Sequence, residues 1–542
     1  MERRPMLGVM LDCSRNAVFT VEALCRFIDK LAAMGYNTLQ LYTEDTYEIG
    51  SEPYFGYLRG RYTADELRAV DAYCQGKGIE LIPCIQTLAH LRALQRWDHR
   101  FGRVMDQRDV LLVGEEETYL LIDKMFASLA ACFTSRRVHI GMDEAHCLGR
   151  GRYLDLHGKE DRSEIFLAHL RRVCEIAERY GFRPMMWGDM FYHLGTGGRY
   201  LGAALTLTEE IRALVPKELD LVYWDYYNTE KAGYDLMNRG FAQFGNPIVF
   251  AGGAWMWVGY APLNEFSQKT TAAAMASCRE FGVRDILITM WGDDGGECSP
   301  FSLLPSLLFA AEHARGNTDL SAIKAKFFAL FGEDFDRMMA LDLPNRPLTE
   351  GPKGDENPCR YALANDPLRG IHDLTVKEGD GRVYAAHARR LRAYARTGGE
   401  YAYLYRAAAE LCATLELKYD LGLRLHRAYL AGEREGLMAA GRDLRRAARR
   451  LHRFYLALRE AWMQEKKPHG FEIQDLRLGG LERRLLHAAR MVEGYLGGKI
   501  KEIPELSEPR LHYRGMPQNA GIPVRVLRWQ DCFSPSVIWE GQ

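Results

Sequence analysis

The chain has 542 residues, enough for more than one domain, and its 47% hydrophobic and 26% charged residues are typical of a globular protein. Its 71 basic and 72 acidic residues leave a formal net charge of -1, which excludes a general electrostatic attraction to polyanions. We therefore expect neither nucleic acid nor a membrane as a partner.

The N-terminal segment and the spacing of the cysteines indicate the compartment and the metal content to expect. The N-terminal segment lacks the apolar core and cleavage site of a signal peptide. No apolar run approaches the roughly 18 residues of a transmembrane helix. The 12 cysteines are scattered without a C-x-x-C pair, which disfavours structural zinc and a disulfide framework. We expect free thiols in a reducing cytoplasm, with no metal and no cofactor.

The first 315 residues alternate between strand and helix. A glycine recurs where a helical segment returns to a strand, at Gly35, Gly78, Gly181 and Gly282. Glycine after a helix adopts the left-handed conformation at no side-chain cost, so each position predicts a tight return. Thr63–Glu66 has the sequence of a capping box and predicts the start of a helix.

Eight apolar segments are strand candidates. They are Leu7–Leu11, Thr38–Tyr42, Glu80–Ile85, Val138–Met142, Pro184–Trp187, Leu221–Trp224, Ile248–Ala251 and Asp285–Met290. Short apolar runs are typical of parallel strands buried on both faces. Eight such units predict an α/β fold, a (β/α)8 TIM barrel. A doubly wound sheet is the alternative, although no G-x-G-x-x-G follows the first strand.

The pattern becomes helical after residue 315. We predict a (β/α)8 barrel over 1–315, a mostly α-helical C-terminal domain over 316–500 and a tail over 501–542. Within these parts, 343–379 is rich in Pro, Asn and Gly and reads as a long connection. The segment Val524–Trp529 has the composition of a short strand.

An arginine-rich stretch, Leu437–Leu451, lies inside the predicted helical domain. Its arginines could bind an anionic partner, but interleaved acids favour a solvated helix face. The helical domain is also a candidate surface for forming a homodimer, or for closing one side of a pocket.

Polar and aromatic residues crowd the end of every predicted strand. In a (β/α)8 barrel the active site lies at the carboxyl ends of the strands, so these residues should converge. Their aromatic faces and carboxylates suit a sugar. Taken singly, such residues have plain explanations, and Asp189 could cap the next helix. The strand-end segments are Asp12–Arg15, Tyr42–Asp45, Gln86–His90, Asp143–Glu144, Trp187–Asp189, Trp224–Tyr227, Trp255–Trp257 and Trp291–Asp294.

The most specific motif is His139-Ile-Gly-Met-Asp143-Glu144, which closes the fourth predicted strand. This His-x-Gly-x-Asp-Glu pattern resembles glycoside hydrolase family 20, the β-N-acetylhexosaminidases, over roughly residues 5–315. Through Trp224-Asp225-Tyr226 the chain is most similar to a branch that includes the hexosaminidase D type and lacks an N-terminal accessory domain.

The resemblance implies a set of pocket residues. Asp143 and Glu144 would be catalytic, His90 with Glu44 or Asp45 would tune the acid, and the remaining residues would bind the sugar. The substrate-binding residues implied in this way are Arg15, His90, Trp187, Trp224, Asp225, Tyr226, Trp255, Trp291 and Asp293. No residue is assigned to a metal.

The resemblance also implies an exo-acting, retaining mechanism that releases a terminal β-linked GlcNAc or GalNAc from an oligosaccharide or glycoconjugate. The 2-acetamido oxygen of the substrate attacks the anomeric carbon, which makes the enzyme one of the substrate-assisted exceptions among glycosidases. Glu144 protonates the leaving oxygen, with its pKa raised by burial and by Asp143. Asp143 orients the acetamido N–H and stabilises the oxazolinium intermediate.

Two positions depart from the family pattern. Gln86 stands where many members have an acid. The seventh strand offers Trp255 and Trp257 where many members supply a tyrosine to the acetamido carbonyl. Tyr226 or Tyr227 could substitute, with Tyr226 ranked first.

Three alternatives stay open. A metal-dependent barrel hydrolase could use His90, His139, His146 and the acidic pair, and EDTA would then abolish its activity. A conventional two-carboxylate glycosidase could pair Glu144 with Asp225 or Asp293, and it would cleave sugars without an acetamido group. A non-catalytic sugar-binding barrel would bind N-acetylglucosamine without turnover.

Overall fold

The structure, a computed structural model, describes residues 4–196, 199–347, 354–515 and 521–536. Its barrel strands are β1 (Leu7–Asp12), β2 (Thr38–Tyr42), β3 (Glu80–Cys84), β4 (Arg137–His139), β5 (Arg183–Trp187), β6 (Asp220–Trp224), β7 (Ile248–Gly253) and β8 (Asp285–Met290). All neighbours pair in parallel, and the order β1-β8-β7-β6-β5-β4-β3-β2 closes the sheet. The predicted barrel is confirmed, and the doubly wound alternative is excluded.

Helices connect the strands as the predicted alternation requires. Thr63 and Glu66 form the predicted capping box, and the four return glycines all have positive φ angles between 71° and 82°. The α-helices up to residue 331 are Val21–Met34, Ala64–Gly76, Asp98–Phe101, Glu116–Cys132, Arg152–His157, Arg162–Arg179, Asp189–Thr196, Glu209–Leu214, Lys231–Ala242, Asn264–Phe281, Leu304–Ala314 and Leu320–Phe331. A small hairpin pairs Met105–Gln107 with Val110–Leu111.

The interior of the barrel is filled by side chains. Buried residues from the strands pack together there, and Trp224 and Trp291 pack against them from partly buried positions. This is the filled core expected of an eight-stranded barrel, so any ligand must bind at a rim. The core residues are Met6, Met10, Tyr42, Ile82, Cys84, Met185, Trp187, Val222, Val249, Ala251 and Leu287.

Strand β4 is shorter than predicted. The expected strand Val138–Met142 ends at His139, because Gly141 and Met142 have φ angles of 71° and 70°. A strand cannot continue through left-handed residues. A Cβ at Gly141 would lie 2.1 Å from Gln86 Oε1, so the turn also requires the absence of a side chain there. This turn directs the chain that carries Asp143 and Glu144.

The chain divides into two compact units. The first contains Met1–Ala254, Ser267–Trp291 and Ser306–Ile323, and the second contains Trp255–Phe266, Gly292–Pro305 and Lys324–Gln542. The domain boundaries expected at 315 and 500 remain predictions. No helix in the described part of the chain has both the length and the apolar character needed to cross a membrane.

The second unit is mostly helical, as predicted. Its α-helices beyond residue 331 are Phe335–Met339, Pro358–Ala364, Val383–Ala395, Ala402–Lys418, Leu421–Leu430, Arg434–Glu465, Phe471–Leu496, Pro504–Ser507 and Gln530–Phe533. Arg434–Glu465 buries its leucine and alanine face. Arg445, on its other side, forms a 2.6 Å ion pair with Glu493. This arrangement agrees with the solvated-face interpretation of the arginine run.

Two expectations for this region are wrong. The predicted connection over 343–379 contains the helix Pro358–Ala364, which begins with proline at a position where proline is well tolerated. The segment Val524–Trp529 is not a strand. The N–H and the carbonyl oxygen of Val526 do not pair with another strand in the described part of the chain. Both form hydrogen bonds with the side-chain amide of Asn357.

Candidate active site

The acidic pair Asp143–Glu144 lies in the turn that follows β4. The two neighbours have different surroundings: the side chain of Asp143 is 11% exposed, whereas that of Glu144 is 47% exposed. Glu144 has a φ angle of 50°, a conformation that is costly for a residue with a Cβ. The burial expected for Glu144 is not found, because the turn directs its side chain outward while Asp143 points into the protein.

Asp143 is held by two polar neighbours. Its Oδ1 accepts a 2.8 Å hydrogen bond from Gln86 Nε2, and its Oδ2 lies 3.2 Å from His90 Nε2. Burial alone would raise the pKa of Asp143, but the His90 ring and these hydrogen bonds lower it below its ordinary value. Gln86 thus donates to Asp143 at the position where many family members have an acid. The amide adds to the larger effect of His90 in keeping Asp143 ionised, and it brings no negative charge.

His90 lies between the two acids, closer to Asp143. Its Nε2 is 3.7 Å from Glu144 Oε2, and its backbone has a φ angle of 60°. Burial would lower the pKa of His90, but the charge of Asp143 and hydrogen bonding to it together outweigh burial and raise the pKa to about 9. The imidazole is therefore a cation at neutral pH, paired with Asp143.

The raised pKa of His90 predicts how stability depends on pH. The folded protein holds this proton more tightly than the unfolded chain, so the stabilisation is complete below about pH 6.5 and is lost as pH rises through about 9. We expect the free energy of unfolding to fall by on the order of 1–3 kcal/mol more in the wild type than in His90→Gln across this range. Denaturant unfolding at the two ends of this pH range measures the difference. The control is His452→Gln, a substitution at an exposed histidine. An equal fall in the free energy of unfolding for wild type and His90→Gln would contradict the pairing of His90 with Asp143.

Arg15 and Glu44 form a second charged group at the ends of β1 and β2. Arg15 Nη2 lies 2.9 Å from Glu44 Oε1, and the Tyr42 hydroxyl donates to the same oxygen over 3.2 Å. Burial raises the pKa of Glu44, and the Arg15 guanidinium opposes that rise. Gln86 Nε2 also contacts the Tyr42 hydroxyl at 3.0 Å, so this group joins the Asp143 cluster.

Aromatic rings pack beside these charged groups. The ring of Trp291 packs edge-on against Tyr42 at 4.8 Å and lies 5.8 Å from Trp187. Tyr226 stacks on Trp224 at 5.4 Å. Burial raises the pKa of the Tyr226 hydroxyl well above its ordinary value, opposed by hydrogen bonding with Trp291. The structure thus brings Tyr226 close to Trp291, while Trp187 is fully buried.

Asp225 is engaged within its own loop. Its carboxylate is 1% exposed and accepts hydrogen bonds from the backbone of Tyr227 and Asn228, and from the Tyr223 hydroxyl. These donors use most of its acceptor capacity. Its role as a sugar ligand stays a prediction, and this arrangement does not support it.

Trp255 and Asp293 belong to the second compact unit. Trp255 is buried, with its ring stacked on Trp257 at 4.3 Å, and Asp293 has a φ angle of 37°. Their roles as substrate ligands stay predictions.

The sequence interpretation missed one site residue, Asp189. It is absent from the predicted set of pocket residues and could have been only a helix cap, but its Oδ2 accepts a 3.2 Å hydrogen bond from the backbone N–H of Glu144. Burial, followed by the charge of Asp143, raises the pKa of Asp189 to about 7. Its place two residues after Trp187, at a strand end, was the available signal.

One histidine of the metal alternative, His139, is a core residue. His139 is fully buried, its Nδ1 accepts from the Gly141 N–H, and its ring lies 4.4 Å from that of Trp187. Burial lowers the pKa of His139 to about 3, so it is a neutral core residue. Among the described residues, no three His, Cys, Asp or Glu side chains are arranged to hold a metal ion.

A (β/α)8 barrel with two unequal acids and aromatic rings at its strand ends has the features of a glycoside hydrolase. Two family models match the chain. Residues 5–243 match the glycosyl hydrolase family 20 catalytic domain, and residues 334–523 match the glycoside hydrolase 20C C-terminal domain. The chain belongs to glycoside hydrolase family 20.

Individual relatives are more distant. A beta-hexosaminidase of Vibrio furnissii is 30% identical over 173 residues, which are 25% of this chain and 28% of that protein. Human Hexosaminidase D is 25% identical over 252 residues, which are 43% of this chain and 48% of that protein. The chain therefore spans less than half the length of either relative. The solved exo β-N-acetylglucosaminidase of Vibrio harveyi has 19% identity and a TM-score of 0.46, over 61% of this chain and 58% of that one.

Proposed function

We propose that the protein is an exo-acting, retaining β-N-acetylhexosaminidase that releases a terminal β-linked N-acetylhexosamine from an oligosaccharide or glycoconjugate. The observation that carries the proposal is the contrast within the acidic pair. Asp143 is buried and kept ionised by His90 and Gln86, whereas the neighbouring Glu144 is half exposed. Two roles for adjacent acids require such unequal environments.

In the first step, the 2-acetamido oxygen of the substrate attacks the anomeric carbon. Asp143 accepts a hydrogen bond from the acetamido N–H and stabilises the positive oxazolinium that forms. Its anionic state, held by His90 at 3.2 Å, suits that task. Glu144 donates a proton to the leaving oxygen, and its exposure gives the aglycone access to the carboxyl group.

In the second step, Glu144 removes a proton from water, which attacks the anomeric carbon from the face that the leaving group vacated. Two inversions give net retention. Tyr226 is our candidate for holding the acetamido carbonyl, supported by its place beside Trp291 and near Asp143.

A conventional glycosidase built on Glu144 and Asp225 is less well supported. The Asp225 carboxylate is 1% exposed and engaged by its own loop, so it is poorly placed to serve as nucleophile or base.

We also propose a reducing compartment such as the cytoplasm. All twelve cysteines lie in the described part of the chain as free thiols, and nine of them are buried.

The proposal is tested by hydrolysis of an aryl β-N-acetylglucosaminide and galactosaminide, with proton NMR of the first-formed sugar. We expect turnover with the β-anomer formed first. An α-anomer as first product would overturn the substrate-assisted scheme. Absence of turnover by a protein that binds N-acetylglucosamine would favour the non-catalytic alternative.

A further inference from the structure

Asp189 reaches the catalytic turn from a different strand. It is the first residue of the helix Asp189–Thr196, which follows β5, and it is 1% exposed. Its Oδ2 accepts the backbone N–H of Glu144 over 3.2 Å. This hydrogen bond therefore connects Asp189, at the end of β5, to Glu144, which follows β4.

Glu144 needs such support because its backbone is strained. Its φ angle of 50° is in the left-handed region, and the carbonyl of the same residue accepts a hydrogen bond from His146 N. Strained residues with a Cβ persist only where their surroundings hold them. We propose that Asp189 is a positioning residue, which fixes the backbone of Glu144 and so directs its carboxyl group toward the leaving oxygen. This assignment rests on the proposed role of Glu144 as general acid.

The hydrogen bond is available whether or not Asp189 carries a proton. No described residue donates to Asp189 Oδ1, whereas Oδ2 takes the Glu144 N–H. Titratable groups that interact with Asp189 include Asp143, Glu144 and the Tyr200 hydroxyl. A proton on Oδ1 leaves Oδ2 free to accept, so the neutral acid positions Glu144 as well as the anion does.

Two substitutions separate positioning from charge. Asp189→Ala removes the acceptor, whereas Asp189→Asn keeps an amide oxygen that can take the same N–H. The readout is kcat/KM, which reports the first chemical step, for one aryl N-acetylglucosaminide with a poor leaving group and one with a good leaving group. A proton donor matters only for the poor leaving group.

We expect Asp189→Ala to lower kcat/KM by about 10–100-fold for the poor leaving group and by less than about threefold for the good one. Asp189→Asn should restore the rate for the poor leaving group to within about threefold of wild type below pH 7, with the alkaline limb of its pH profile moved to lower pH. The control is Asp71→Ala, which removes another buried aspartate that accepts a backbone N–H, from Thr134. An equal loss on both leaving groups, or an Asn variant as impaired as the Ala variant, would overturn the proposal.

A second measurement does not depend on turnover. Amide hydrogen exchange at Glu144 should be at least about tenfold faster in Asp189→Ala than in wild type, and close to wild type in Asp189→Asn. Unchanged exchange in the Ala variant would overturn the positioning role even if the activity assays followed expectation. If the wild type cleaves neither substrate, the proposed function fails, and the exchange rates still decide whether Asp189 holds Glu144.

Discussion

Glu144→Gln is expected to lower kcat/KM for an N-acetylhexosaminide with a poor leaving group by about 10²–10⁴-fold, the usual contribution of a general acid. Glutamine keeps the size and shape of the side chain but has no acidic proton to give. A dinitrophenyl leaving group departs without protonation, so we expect a much smaller loss on that substrate. Steady-state kinetics with both substrates measure the contrast.

The control for this prediction is Glu178→Gln, an exposed acid on the outer helix Arg162–Arg179, which should change kcat/KM by less than about threefold. If Glu144→Gln impairs both substrates to the same extent, Glu144 does not act on the leaving group. Near-normal turnover of the poor leaving group would remove it from the mechanism.

Asp143→Asn is expected to lower kcat/KM by about 10²–10³-fold, the cost of removing one preorganised electrostatic contact from a transition state. The substitution removes the negative charge that faces the oxazolinium. It also leaves His90 without the anionic partner that lies 3.2 Å from it in the wild type. Because the charge acts on the cation and not on the leaving oxygen, the loss should be similar for good and poor leaving groups. This pattern distinguishes Asp143→Asn from Glu144→Gln.

Asp106→Asn is the matched control for Asp143. Asp106 is also buried, and it accepts backbone N–H groups from Gly149 and Tyr153 in the chain that follows the acidic pair. We expect its kcat/KM to stay within about threefold of wild type. If Asp143→Asn itself stays in that range, the role proposed for Asp143 is wrong.

The barrel could be predicted from sequence because its signals are local. Apolar runs and return glycines identified all eight strands, and each return glycine has the positive φ expected of it. The end of β4 could not be predicted in this way. Gly141 and Met142 continue the apolar composition of the strand, but their left-handed turn lies against Gln86, which is distant in sequence and accepts the N–H of Met142.

The candidate site was predicted in part. The motif placed Asp143 and Glu144 correctly at the end of β4, and His90 lies beside them as expected. Which strand-end acid turns toward the pair depends on backbone angles that composition does not determine. Asp189, which the sequence allows as a helix cap, accepts a hydrogen bond from Glu144, whereas Asp225, a predicted ligand, is engaged by its own loop.

The central claim is that the nucleophile belongs to the substrate. The most direct test compares kcat/KM for para-nitrophenyl β-N-acetylglucosaminide with that for the matching β-glucoside, which has a hydroxyl in place of the acetamido group. Intramolecular nucleophiles gain so much from proximity that we expect the acetamido substrate to be favoured by at least about 10³-fold. Comparable rates on the two substrates would contradict the account.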